Sequence, residues 1–406
     1  VCQVFHPDSS ATSQLFSPLL RAFAHDYDIQ VLTGFPSLSF SNLCLPRREY
    51  WQGIDIHRLG FRLESRSRLW RRLVGYAGFS LHLWLKLITL SSSTRVMATT
   101  NPSFNLWLLK LSGRHRRRRL LYFWLDIFPE GLIALNKLKA RSFGARVWLW
   151  LNAWAFSAQD DIVVIGRDMV RTLNRYHIAP RQRVHYVPHW SAHEWDTPVS
   201  FEAHPWLERF PFALNVVFQY SGNMGLWHDP ATLIQAFLEA SAQRPQARLL
   251  MIGHGMRLQE AQRQASGSAK VIFLPYQPLE VLPWSLSFCH VALISMRSGL
   301  SGVAVPSKLY GILASGRAIL ALVPEDSEVA LTVMEHQCGL VVSPEDGPGL
   351  LKAMVWMVDH PQDVFEMGRR AYHAYRQHYT LEAAKTRMAA LLAPSWDERS
   401  SDHDAP

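Results

Sequence analysis

The residues best suited to chemistry lie in one stretch, GLSGVAVPSKLYGILASGRAILAL (Gly299–Leu322). Pro306 suits the first turn of a helix, where its missing N–H costs nothing. Ser307 and Lys308 follow at that N-terminus. Leu309, Ile312 and Leu313 then give an apolar face at i, i+3, i+4 spacing. Gly316 is a stop signal, and Ala318–Val323 reads as a short buried strand. The free N–H groups of a helix start carry about half a positive charge. With Ser307 and Lys308 beside them the chemistry on offer is anion binding, and phosphate fits well. The same residues also describe a plain helix–strand unit with a surface lysine.

Two further groups could contribute. Asp126 closes the predicted strand Leu120–Leu125 and leads into Ile127-Phe128-Pro129-Glu130. A carboxylate at the carboxyl edge of a parallel strand sits where α/β proteins bind ligands; its other reading is a helix cap ahead of Pro129. In the second half, the predicted strands Val216–Tyr220, Arg248–Ile252 and Val271–Leu274 run into Ser221-Gly222-Asn223-Met224-Gly225, Gly253-His254-Gly255 and Pro275-Tyr276-Gln277-Pro278. Such loops gather at one sheet edge and leave backbone N–H groups free for a nucleotide.

The elements that must position these groups repeat a strand–helix pattern twice. Val1–Phe5, a polar loop over His6–Ser13, the helix Gln14–His25 and the strand Ile29–Thr33 open the first unit. The order is that of a doubly wound α/β fold, without the G-x-G-x-x-G of a dinucleotide domain. Ile54–Gly60, Val96–Thr99, Ile162–Ile165 and Val184–Pro188 are further strands. The chain of 406 residues suits two domains. We place a first domain over 1–190, a linker over 191–212, a second domain over 213–378, a closing helix over 379–392 and a disordered tail over 393–406. The opening residues read as a strand already under way, with no initiator methionine, so a few residues are expected upstream.

Charge divides the chain. Residues 1–199 hold 26 Lys and Arg against 13 Asp and Glu, whereas residues 200–406 hold 16 against 20. A basic first half suits anionic lipid or a phosphorylated substrate, and no nucleic-acid motif accompanies it. The four cysteines are scattered without C-x-x-C, which argues against a zinc site or disulfide framework. Residues 68–90 form a wide-faced amphipathic helix, with Arg71, Gly75, Gly78, His82, Lys86 and Thr89 on one polar stripe. His82 and Lys86 argue against a membrane span. The basic flank Arg66, Arg68, Arg71 and Arg72 suits a helix lying in a membrane interface; its other reading is a helix packed on a sheet. The run Gly113–Arg119 is either a solvated loop or part of the same anionic-lipid patch.

The segments YSGNMGLWHDPATLIQAF (Tyr220–Phe237), LMIGHG (Leu250–Gly255), FLPYQPLEVLPWSLSFCHVALIS (Phe273–Ser295) and VPSKLYGILASGRAIL (Val305–Leu320) resemble glycosyltransferase family 4. The likeness is to its capsule, O-antigen and colanic-acid-type members. FHPDSSATSQL (Phe5–Leu15) and DIFPE (Asp126–Glu130) are similar to the same group. The resemblance implies a GT-B fold, two Rossmann-like domains facing across a cleft, with the C-terminal helix returning to the first. It implies retaining transfer from a nucleotide-diphosphate sugar, without a metal or other cofactor. Ser221, Gly222, Asn223, Ser307, Lys308 and Leu309 would hold the diphosphate. Gly253, His254, Gly255 and Tyr276 would flank the base and ribose. His6, Asp8, Ser10, Thr12, Asn101, Asp126 and Glu130 would line the acceptor side, with Lys308, Asp126 and His6 as the catalytic candidates. The acceptor would be a glycan, often on a polyprenyl diphosphate. The implied location is cytoplasmic, on the inner face of the membrane, held there by residues 66–90 and 113–119.

One departure bears on mechanism. Aligning on Ala314-Ser315-Gly316 puts Val303 and Gly311 where many family members carry two glutamates, one toward the donor sugar and one toward the ribose. Neither contact can be made by these residues, so the catalytic residue is unassigned. A catalytically inactive GT-B scaffold and a transferase with a soluble acceptor are the alternative readings. A sugar-nucleotide epimerase of similar build fits poorly, because acidic residues are sparse in the candidate cleft.

Overall fold

The structure is a computed structural model that describes residues 1–8, 10–35, 45–61, 69–112, 119–194 and 197–393. Arg66, Arg68, the arginine run 113–118 and the tail from 394 lie outside the described residues, as do the side chains of Arg71 and Arg72.

The first domain runs through α1 (Ala11–Phe23), β1 (Ile29–Thr33), β2 (Arg48–Trp51), β3 (Ile54–Arg58), α2 (Leu69–Thr89), β4 (Val96–Thr99), α3 (Asn105–Leu111), β5 (Leu120–Trp124), α4 (Glu130–Ala134), α5 (Phe143–Phe156), β6 (Asp161–Val164), α6 (Met169–Asn174) and β7 (Arg183–Tyr186). Its strands form two sheets, β1-β3-β2 and β4-β5-β6-β7. Residues 1–5, expected as a ladder strand, are instead the seam between them. Cys2 N–H donates to Leu32 O and Gly34 N–H to Gln3 O on one side. Gln3 N–H donates to Asn101 O and Thr99 N–H to Val1 O on the other. The antiparallel strand β2 was not expected. It is a short edge strand returned by Gln52 and Gly53, both at positive φ, as a tight hairpin turn requires.

The second domain holds β8 (Val216–Ser221), α7 (Pro230–Gln243), β9 (Ala247–Ile252), α8 (Leu258–Gln264), β10 (Val271–Leu274), α9 (Leu282–Ser287), β11 (Val291–Ser295), α10 (Lys308–Ser315), β12 (Ala318–Leu322), α11 (Glu328–Glu335), β13 (Gly339–Val342) and α12 (Gly347–Asp359). Its single sheet has the order β10-β9-β8-β11-β12-β13, parallel throughout. All five residues of β12 are buried, which explains its unbroken apolar sequence AILAL. Burial of each leucine there stabilises the fold by roughly 1.5–3 kcal/mol. The chain order reverses between β8 and β11, and that switch point opens a crevice at the carboxyl ends of the strands.

Two helices tie the halves together. α13 (Pro361–His378) packs on α10 and β12, and α14 (Leu381–Leu392) returns to pack on α1 of the first domain. Ser191 N–H donates to Tyr379 O, and Arg95 and Arg119 donate to Leu392 O and Ala393 O. Across the cleft, Ile127 N–H donates to Val303 O at 3.0 Å and Gly302 N–H to Asp168 Oδ2 at 2.7 Å. Arg167 pairs with Glu328 at 3.0 Å and with Glu335 at 2.6 Å, and Tyr186 donates to Glu328 at 2.7 Å.

α2 corrects one expectation. The middle of its polar stripe is turned away from solvent: Gly78 is buried and His82 and Lys86 are half-buried, whereas Thr89 at the end is exposed. The ring of Phe61 fills the space over Gly78 that a side chain would take, and it meets His82 edge-on at 5.9 Å. The outward residues are Val74, Ala77, Leu81 and Leu85, because Phe79, Leu83 and Leu87 already satisfy the core. Among the described residues no helix is long and apolar enough to cross a membrane.

Candidate active site

A cavity of about 490 Å³ lies between the domains at the switch point. Its second-domain wall is built by the loop after β8 (Ser221, Gly222, Asn223), by His254 and Tyr276 after β9 and β10, and by Ser307, Lys308 and Gly311 of α10. Its opposite wall carries Gln14 of α1, Asp126 after β5, and Trp190 and His193 from the crossing into the linker.

Lys308 is the centre of its electrostatics. Its Nζ has no exposed surface and no hydrogen-bond partner, and it lies 3.8 Å above the Tyr220 ring. Burial pushes its pKa down to about 7. Two glycines make room for this arrangement. Gly222 has φ +125°, and a Cβ there would sit 3.5 Å from Lys308 Nζ. Gly253 has φ +132°, and a Cβ there would sit 2.1 Å from Gly222 O, so the loops after β8 and β9 can touch only with glycine at 253. Ser307 caps α10 by position but makes no side-chain cap bond, so its hydroxyl is free for another acceptor.

His228 adds a second basic group, bonded on one side of its ring. Its Nδ1 donates to Ser295 O at 2.7 Å, which leaves Nε2 as a lone-pair atom. Burial first, and then the charge of Lys308, pull its pKa down to about 3. Burial thus disfavours charge on both basic groups, and Lys308 disfavours it further on His228, in a crevice that faces a helix N-terminus. An anion entering it would restore both. Beside them, Tyr276 and His254 meet edge-on at 5.7 Å, and Leu282, Leu286 and Gly311 complete an apolar slot. A Cβ at Gly311 would come 3.3 Å from Leu286, so leucine borders the place where the family pattern puts a glutamate. This flat, apolar slot beside an anion site suits a nucleobase next to a diphosphate.

No family model matches the chain. A protein of Pseudomonas aeruginosa named as a probable glycosyltransferase, WbjE, is 26% identical over 309 residues, covering 75% of this chain and 75% of that one. Sucrose-phosphate synthase from Thermosynechococcus elongatus superposes with a TM-score of 0.71 at 16% identity, over 94% of this chain and 93% of its own. HepE of Anabaena, in complex with UDP-glucose, superposes with a TM-score of 0.66 at 13% identity, over 96% and 97%. The chain has the GT-B fold. The relative and these structural neighbours are glycosyltransferases.

Of the residues picked from sequence for the donor, Ser221, Gly222, Asn223, His254, Tyr276, Ser307 and Lys308 line this one cavity. Gly253 and Gly255 sit behind it as backbone spacers, and Leu309 is wholly buried in the core. Asp126 also lines it. The residue is exposed to the cavity, and desolvation by the cavity walls raises its pKa. The other acceptor-side residues are placed differently. His6 stacks on Trp51 at 4.2 Å. Asp8 accepts from Ser10 N–H at 2.8 Å, and Ser10 caps α1. Asn101 and Thr12 do not line the cavity. The first turns of α1, with Ala11, Gln14 and Leu15, form the cavity edge instead. Glu130 lies in a separate cavity of about 580 Å³ together with Val303. Its Oε1 accepts from Tyr176, its Oε2 is unpaired, and burial raises its pKa. Among the described residues Asp126 is therefore the one carboxylate lining the main cavity, and Val303 lines the other cavity instead.

Sequence reasoning missed His228, Trp227, Trp190 and His193. The signal for His228 was present. It directly precedes Asp229-Pro230, a cap and first-turn pair that starts α7 after a glycine-rich loop, so it had to project at the sheet edge. Among the described residues no group of three or more His, Cys, Asp or Glu could hold a metal ion.

Proposed function

We propose that this protein transfers a sugar, with retention of configuration, from a nucleotide-diphosphate sugar to a glycan acceptor. In the fullest form of this reading the acceptor is carried on a polyprenyl diphosphate at the inner face of a membrane, in surface polysaccharide synthesis. The observation that carries the donor side is the unpaired, buried Lys308 ammonium at the start of α10. Burying a charge without a partner costs several kcal/mol, and a diphosphate removes that cost. A non-catalytic scaffold has no use for such a group.

The chemistry follows from the walls. Transfer breaks the bond between the anomeric carbon and the diphosphate, and negative charge grows on the leaving oxygen while the sugar becomes oxocarbenium-like. Lys308, the N–H groups opening α10 and, once protonated, His228 stabilise that charge. The acceptor hydroxyl approaches from the first domain, where Asp126 is the carboxylate at hand to accept its proton. Its carboxylate opens on the cavity, and the pKa raised by the surrounding walls strengthens it as a base.

The membrane part rests on apolar surface. Val74, Leu81 and Leu85 of α2 are exposed, as are Phe143 and Trp150 of α5, on the basic half of the chain. Outward leucines and aromatics beside lysines and arginines suit an anionic membrane surface. The test is a transfer assay with a polyprenyl-diphosphate-linked sugar and a nucleotide sugar, read by mass spectrometry. Product that forms with the lipid-linked acceptor and disappears in Lys308→Ala supports the reading. Transfer to a soluble sugar alone would remove the lipid-linked acceptor, and no transfer to either in folded, donor-binding protein would remove the activity.

A further inference from the structure

The largest cavity described, about 1010 Å³, lies far from the donor crevice. It opens at the amino edge of the second sheet. Its floor is formed where β8, β11 and β12 begin (Val216, His290, Arg317), and its walls are linker residues 198–202 and α13. No part of the proposed transfer reaction uses it.

Arg317 is its notable group. The guanidinium donates through Nη2 to Val199 O, while its Nε is buried with no partner. It forms no ion pair among the described residues. Burial lowers its pKa, and the nearby Glu202 carboxylate offsets that only in part. Nothing forces an arginine side chain into this position by chain geometry. Gly316 turns the chain at φ +66° against Pro198, and Gly368 lets α13 come so close that a Cβ there would lie 2.4 Å from Gly316 O. The backbone is thereby fixed, but the side chain is not, and an apolar residue would fill the space at lower desolvation cost.

The surroundings are those of an oxyanion site on an apolar bed. His290 accepts from Val217 N–H at Nδ1, at 3.1 Å, which leaves its proton on Nε2 as a donor. Arg369, Arg370 and Arg376 of α13 line the same cavity. Of these, Arg369 is paired with Glu366 at 3.2 Å and Arg370 holds Gln337 O at 2.6 Å. Glu202 also lines it, bonded by Ser200, so two carboxylates face four guanidinium groups. Val199, Phe201, Met357 and Phe365 supply the apolar part.

We propose that this cavity is a second ligand site, taking a small molecule that joins a phosphate group, held by Arg317 and Arg376, to an apolar or aromatic body. Guanidinium suits phosphate because its planar donors match two oxygens at once. The linker crosses between the domains, and α13 packs on the second domain and leads into α14, which returns to the first, so the occupant sits against both connections. Its binding therefore couples to how the donor crevice opens and closes.

The test is hydrogen exchange on the full chain, read by mass spectrometry, with inorganic phosphate and adenosine monophosphate as probes. Lys308→Met serves as a second background, to silence anion binding in the donor crevice. The expected result is saturable slowing of exchange over 198–202 and 361–376 in both backgrounds, stronger with the nucleotide than with phosphate. Arg317→Gln should weaken it by about tenfold or more, as loss of a charge-assisted bond does. Arg376→Ala, at the exposed rim, should weaken it about threefold with an unchanged melting temperature. Absence of slowing in folded protein, or slowing unaffected by both variants, would overturn the proposal. Slowing produced by phosphatidic acid vesicles and by neither soluble probe would overturn the small-molecule ligand and assign the oxyanion to a lipid.

Discussion

Lys308 allows a quantitative test, because its depressed pKa of about 7 makes donor binding a proton-linked event. In the empty protein the ammonium is fully formed below pH 7 and lost above it. A bound diphosphate returns the group toward its ordinary value of 10.5. Binding should then take up about half a proton at pH 7 and nearly one at pH 8.5, and affinity should fall about 30-fold between pH 6 and 8.5. The assay is titration calorimetry with a nucleotide sugar, in buffers of different ionisation enthalpy. A nucleotide sugar is preferable to a free nucleotide because its diphosphate does not titrate in this range. Lys308→Met removes both the pH dependence and the proton uptake, and weakens binding by roughly 10- to 100-fold. The same change should stabilise the empty protein. The folded pKa lies below the unfolded one, so the unfolded chain binds more protons between pH 7 and 10.5, and wild-type stability rises with pH through that window. At pH 7 the gain in Lys308→Met is at most about 4 kcal/mol, and it vanishes toward pH 10.5. Affinity independent of pH in the wild type, with no proton uptake, would refute the placement of the diphosphate on Lys308.

Gly253→Ala drives a Cβ to 2.1 Å from Gly222 O, so donor binding should be lost, with a melting temperature lowered by several degrees in a thermal scan. Asp168, whose pKa burial raises to about 6, holds Gly302 across the cleft with an unpaired Oδ1. Its folded pKa exceeds the unfolded one, so its burial penalty is present above pH 6 and gone below about 4. Asp168→Asn should therefore stabilise at pH 8 by roughly 1–3 kcal/mol and do little near pH 4, as chemical denaturation would show. Leu81→Asp with Leu85→Asp, on the outward face of α2, should abolish salt-sensitive binding to anionic vesicles in a flotation assay and leave donor affinity unchanged.

Much of this architecture could be read from short sequence signals. β10 has the expected bounds, and α10 ends where Gly316 places it but begins at Lys308 with Ser307 as its cap, so Pro306 precedes the helix instead of opening its first turn. Such buried parallel strands are unbroken apolar runs, and their exits are marked by glycine or proline. β2 escaped because Arg48-Glu49-Tyr50-Trp51 is a half-exposed edge whose order comes from pairing with β3. The outward face of α2 escaped because periodicity finds a polar stripe but does not say that Phe61 will cover it. The donor wall was legible because its residues belong to the loops that follow successive strands. The opposite wall was not: Gln14 lies near the start of the first domain and Trp190 and His193 at its end, so tertiary packing alone brings them together, and nothing local in their sequence signals that meeting.

The most direct measurement is a thermal-shift panel of UDP-, GDP- and ADP-sugars on the wild type and on Lys308→Ala. A nucleotide sugar at 100 times its dissociation constant should stabilise the wild type by roughly 2.7 kcal/mol. A shift with one nucleotide class, lost in the variant, is the expected result. Folded protein that responds to none of them, or a shift that Lys308→Ala leaves intact, would contradict it.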